Sequence, residues 1–209
     1  MHAASAKEPL TRDAIITTAR RLLRTVGFDQ TSLRRLATEL GVTAPALYAH
    51  VTDKGDLLAA LADTGFRELA ARFDAIDADG LTDPLLRART HSLAYVDQAL
   101  DDPDLFRVMF LFRPGSIDLP GVDNVLPSAT VAFERAADTV AGAIAAGVIH
   151  PSHDPLTAAL TLWTTAHGVA TVLLMGIPSD SSGRAAVAEG VIDVCLAGLS
   201  LPVRPASTT

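Results

Sequence analysis

Thr43, Tyr48, His50 and Lys54 lie close together in the chain, and each carries a group able to bond a phosphate or a base edge. Ala44 and Ala46, set among them, are small enough to let a helix approach a surface closely. Just upstream, Thr31, Ser32, Arg34 and Arg35 add two hydroxyls and two guanidiniums, groups suited to phosphate contacts. This is binding chemistry rather than catalysis. There is no glycine-rich phosphate loop, nucleophile elbow or spaced carboxylate pair, so neither an enzyme nor a cofactor is expected. His150-x-x-His153 has the spacing of a metal pair, but Pro151 and Pro155 make it a turn, and Asp154 is the one acid beside it. No metal site is expected. Cys195, the single cysteine, excludes an intramolecular disulfide framework; it is expected to pack as a small apolar residue, with an intersubunit disulfide as the alternative.

A second set of residues is aromatic or soft. Phe66, Phe73, Phe106, Met109, Phe110, Phe133, Trp163 and His167 are the candidates to line a cavity for a small, largely apolar molecule. Phe106, Phe110 and Phe112 crowd into one short segment, and His167 follows Trp163 by four residues, which places both on one side of a helix. Ordinary core packing is the competing reading for each of them.

Helices must position both sets. Thr11 can cap a helix whose apolar positions Ile15, Ile16, Ala19, Leu22, Leu23 and Val26 form one stripe, closed by Gly27. Thr31 or Ser32 can cap a short helix through Leu33, Leu36, Ala37 and Leu40, ended by Gly41. Proline is tolerated only in a helix's first turn, so Pro45 sets Thr43 as the cap of a third helix of about seven residues. That is too short to stand alone. Thr52 or Asp53 then caps a long helix through Phe73. Further helices are expected over 85–100, 105–112, 128–147, 155–175 and 182–199, with a proline-rich loop over 113–127. No sustained alternation of period two is present, so the fold is read as all-α, about nine helices, with no sheet. Two short helices separated by Gly41-Val42-Thr43 have helix-turn-helix spacing, in which the second helix enters the major groove. A plain three-helix packing unit with solvated charges is the alternative.

The chain has 209 residues, 49% hydrophobic, which excludes disorder as its main theme. Its net charge of −7 argues against a nucleic-acid partner until the chain is divided. Residues 1–54 carry +3 and residues 55–209 carry −10, as expected of a small polyanion-binding module on a larger body. Domains are therefore placed at 9–54 and 55–202. Residues 155–179 contain no charged side chain and are long enough to span a membrane. The threonines there and the acidic flanks, Asp154 and Asp180, argue against a membrane partner. Two apolar helices at the end of the chain instead suggest a subunit interface, a four-helix bundle across a two-fold. No export signal opens the chain, and a cytoplasmic location is expected.

Residues 11–62 resemble the N-terminal domain of the TetR family of transcriptional regulators. The resemblance rests on Ala14-Ile15, Ala19, Gly27-Phe28, Thr31-Ser32-Leu33, Leu36-Ala37 and Leu40-Gly41-Val42-Thr43, then Pro45-Ala46-Leu47-Tyr48-Ala49-His50-Val51 and Lys54-Gly55-Asp56-Leu57-Leu58. Val51 stands where the family usually has phenylalanine, and Gly55 where it often has a better helix former. Trp163-x-x-x-His167-Gly168 is similar to a pattern in the C-terminal domain of one subgroup. The resemblance implies an all-helical homodimer with two DNA-reading heads and a C-terminal core that binds an effector. The expected function is a repressor released from a palindromic double-stranded operator by a small-molecule effector; the alternative is a helical small-molecule binding protein with little DNA affinity.

Overall fold

In the computed structural model, residues 9–111 and 126–203 are described. The expected loop at 113–127 falls almost wholly outside them, as does Phe112. Nine helices make up the described residues: α1 (Arg12–Val26), α2 (Leu33–Leu40), α3 (Ala44–Tyr48), α4 (Lys54–Ala78), α5 (Pro84–Asp101), α6 (Pro103–Leu111), α7 (Pro127–Ala145), α8 (Pro155–Leu174) and α9 (Ser181–Leu199). No strand occurs among them.

Local chemistry sets most of the starts. Thr11, Ser32, Thr43 and Asp53 cap α1 to α4, each accepting a backbone N–H from the first turn. Where two caps were open, the structure selects Ser32 and Asp53. Prolines occupy the first turns of α5, α7 and α8, where the missing N–H has no intrahelical partner in any case. Gly41 ends α2 in the left-handed region at φ 62°, which lets the chain turn sharply into α3. The third helix is shorter than expected, five residues rather than about seven, with the chain turning away at Ala49.

Helices α1 to α3 form a small head held by Ile15, Ala19, Leu23, Leu36, Leu47 and Val51, all essentially buried. Val51, smaller than its family counterpart, is 1% exposed, and Arg12 ties the same joint by reaching the His50 carbonyl and the Asp56 carboxylate. Helix α4 leaves the head and packs on α5, α6 and α7 in the body. Helix α8 lies among α5, α7 and α9. It is long and apolar enough to cross a membrane, with 39% of its most apolar stretch buried. The hydroxyls of Thr161, Thr164, Thr165 and Thr171 all donate to carbonyls of their own helix, so these threonines would need no outside partner in lipid. What marks α8 as a helix of the folded body is its packing against α5, α7 and α9.

Candidate nucleic-acid interface and ligand cavity

A five-residue helix has no stability of its own, so its presentation depends on its anchors. Leu47 is the one buried side chain of α3, and it pins the helix against the head core. Thr43, Ala44, Ala46 and Tyr48 are left exposed, Tyr48 by 52%. His50, just beyond the helix, is half-buried. Ser32 and Arg34 are exposed at the start of α2, and Lys54 is exposed in the first turn of α4. The Lys54 ammonium also lies 4.9 Å from the centre of the Phe28 ring, and the Arg107 guanidinium of α6 lies at the same distance from that ring. Thr31 differs from expectation. It is 2% exposed and its hydroxyl donates to the Gly27 carbonyl at 2.8 Å, so it braces the α1–α2 turn and presents no group outward.

In the body, α4, α5, α7 and α8 line a narrow, partly open cavity with two adjoining lobes. Phe73, Tyr95, Ala136 and Trp163 line both lobes. Of the expected effector residues, Phe66, Phe73, Phe133 and Trp163 are in the walls. Phe106, Met109, Phe110 and His167 are not. Phe106, Phe110 and His167 pack behind Tyr95 instead: the Phe106 and Phe110 rings lie 5.7 and 6.3 Å from it, and His167 Nδ1 is 2.7 Å from its hydroxyl; Met109 lies against Gly65 and Gln98. Trp163 and His167 do share a side of α8, with ring centres 5.7 Å apart. Burial lowers the His167 pKa and raises that of Tyr95, so both are neutral. With the Trp163 indole N–H donating to the Tyr95 oxygen, we assign the Tyr95 proton to His167 Nδ1, the tautomer with Nδ1 as acceptor.

The polar side of the cavity was not foreseen. His91, Ser92, Tyr95 and Thr139 line it, and all four are buried. His91 stacks on Phe73 at 4.5 Å, with Nδ1 3.2 Å from the Thr139 hydroxyl and Nε2 3.2 Å from Asp77 Oδ1. Burial holds the His91 pKa below its ordinary value, with Asp77 opposing, so the His91–Asp77 contact is not an ion pair near neutral pH. No lining residue is Asp, Glu, Lys or Arg.

Two contacts join cavity and head through α6. Asp102 caps that helix by accepting the Leu105 N–H, while its other carboxylate oxygen accepts Arg20 Nε of α1 at 3.1 Å. Arg20 also forks onto Glu68 of α4. Arg107 makes the second contact, over Phe28. The histidines of the 150–153 turn have structural partners, His150 with Ser152 and His153 with the Leu201 carbonyl. Among the described residues no group of three His, Cys, Asp or Glu side chains could hold a metal. Cys195 is half-buried, its Sγ 3.4 Å from the Thr165 hydroxyl.

Residues 15–61 match the model of the family described as bacterial regulatory proteins, tetR family, and residues 88–194 match a tetracyclin repressor-like C-terminal domain. The tetracycline repressor protein class C of Escherichia coli is 52% identical over 54 residues, 26% of this chain. That match spans a quarter of the curated relative's length. A protein of unknown function from Rhodococcus sp. RHA1 superposes with a TM-score of 0.76 at 28% identity, covering 96% of this chain and 98% of that one. A TetR-family transcriptional regulator from Pectobacterium atrosepticum gives 0.68 at 26% identity, covering 92% and 95%.

Proposed function

Since this chain belongs to the TetR family of bacterial regulatory proteins, we propose that it is a homodimeric repressor that leaves a palindromic operator when a small, largely apolar effector enters the body. The observation that carries this reading is the pairing of an exposed α3, bearing Thr43 and Tyr48, with a body cavity behind whose Tyr95 wall packs α6, the helix tied to the head by Arg20. Tyr48, Thr43 and His50 would read base edges or phosphates, while Lys54, Arg34 and Ser32 would hold the backbone. Thr31 takes the role of a brace.

Dimerisation is supported by what α8 and α9 leave uncovered. Val172, Met175, Val191 and Val194 are exposed, Val194 by 74%. A two-fold pairing of these helices would cover them, and it would set two copies of α3 on successive major grooves, about 34–36 Å apart. Release follows if the effector fits better when that spacing is lost. A ligand against Tyr95 pushes on Phe106 and Phe110, and thus on a helix whose cap is held by Arg20 of α1.

The test is fluorescence anisotropy with DNA from around the protein's own gene. Specific binding that falls steeply with salt is expected. Tyr48→Ala with Lys54→Ala should weaken it by about a hundredfold or more, and Lys54→Ala alone should lower the salt slope by about one. Specific binding that survives the double substitution in a folded protein overturns the reading head.

A further inference from the structure

The hydroxyls of the cavity are one-sided in what they can offer. A hydroxyl has one proton and two lone pairs, so the proton's destination decides what the oxygen can still do. Ser92 donates to the Ala88 carbonyl at 2.8 Å. Thr139 has two acceptors for its proton, the Arg135 carbonyl at 3.0 Å and His91 Nδ1 at 3.2 Å. Tyr95 gives its proton to His167. The two nitrogens of His91 face Thr139 and Asp77, within the protein's own packing. The hydroxyls around the cavity thus offer oxygen lone pairs while their protons are engaged; the Trp163 indole N–H meets the Tyr95 oxygen, and His91 Nε2 faces Asp77 without a well-formed hydrogen bond.

The remaining walls fix the rest of the chemistry. Six alanines (Ala88, Ala129, Ala132, Ala136, Ala159 and Ala166) leave open width. Phe73, Tyr95, Trp163 and Phe133 supply aromatic surface. A charged ligand would lose its hydration with no ionised wall residue to compensate, a cost of several kcal/mol.

We propose that the cavity takes an uncharged, ring-containing, largely apolar molecule that carries an O–H or N–H donor, received by the hydroxyl oxygens of Ser92 and Thr139. This rests on the reading of the cavity as the effector site and adds the polarity of the ligand.

Three probes of one ring system separate the elements of the claim in titration calorimetry on the full-length protein. 2-Naphthol has the donor, 2-methoxynaphthalene lacks it, and 2-naphthoate is an anion. The naphthol is expected to bind about tenfold or more tighter than either of the others, the worth of one well-made buried hydrogen bond. Ser92→Ala with Thr139→Val should bring naphthol to within about twofold of the methyl ether while leaving the ether's affinity unchanged. Equal affinity of naphthol and ether in the unaltered protein overturns the proposal. So does a preference for naphthoate, a naphthol advantage that persists in the double variant, or no heat from any probe with a folded protein. If the double variant does not fold, each single substitution should remove part of the advantage, and retention of all of it in both is equally fatal. Naphthol binding with the expected preference but without DNA release would leave the ligand chemistry standing and remove the regulatory reading. Release driven by the anion would do the reverse.

Discussion

Leu47 holds a helix that cannot hold itself. Its side chain is 1% exposed and is the one buried member of α3, so the presentation of Tyr48 depends on a single anchor with Val51 beside it. Leu47→Ala is expected to lower head stability by about 2–4 kcal/mol through the cavity it leaves. DNA affinity should fall although no DNA-facing group has changed. Denaturant melts alongside anisotropy test this; loss of affinity without loss of stability would point to a direct contact by Leu47. His91 and His167 give a second expectation at this scale. Burial lowers both pKa values below the ordinary 6.5, so the folded state binds fewer protons than the unfolded chain. Stability is then full above about pH 6.5 and declines as pH falls below it, levelling once the folded pKa values are passed. Thermal melts between pH 7.5 and 5 should show the midpoint dropping, and a flat profile would count against neutral buried imidazoles.

At the level of elements, α4 approaches α6 closely at Gly65. A Cβ added at Gly65 would stand 2.6 Å from Met109 Sδ, nearer than real contacts allow, and Gln98 donates to the Gly65 carbonyl at 2.8 Å. Gly65→Ala is expected to cost about 1–3 kcal/mol by overpacking. Adding Met109→Ala, which removes the colliding sulfur, should recover part of that cost rather than add to it, a coupling that a double-mutant cycle measures directly. Additive losses would show that Gly65 matters for another reason. The helices themselves were largely legible in the sequence because caps and prolines act within one turn: Thr11, Thr43 and Pro155 mark their starts from local chemistry alone. The cavity was half legible. Phe66, Phe73, Phe133 and Trp163 follow from being large and aromatic. Phe106 and Phe110 are equally large, yet the side of α6 they occupy depends on how that helix docks. His91, Ser92 and Thr139 read as polar positions on amphipathic helices, and only the packing of α5 and α7 among their neighbours turns them inward. Thr31 misled because a hydroxyl suited to phosphate is equally suited to a backbone carbonyl four residues back.

For the whole molecule, the apolar surface of α8 and α9 is the feature that a monomer leaves unexplained. Val194→Asp would place like charges near each other across the proposed two-fold and desolvate both. Sedimentation should then report a monomer, and operator affinity should fall by about a hundredfold or more, since one head alone lacks the second half-site. An unaltered dimer would move the interface elsewhere.

Trp163 is the sole indole in the chain, and it stands in the wall of both lobes. The ultraviolet emission of its indole therefore reports from one half-buried place in the body, on a helix separate from the residues proposed to face DNA. Because linkage is reciprocal, a change of emission on adding operator alone, with nothing in the cavity, is a direct gauge of how strongly the two ends of the molecule speak to each other. An intrinsic lamp wired to a distant switch lets that communication be followed without labels.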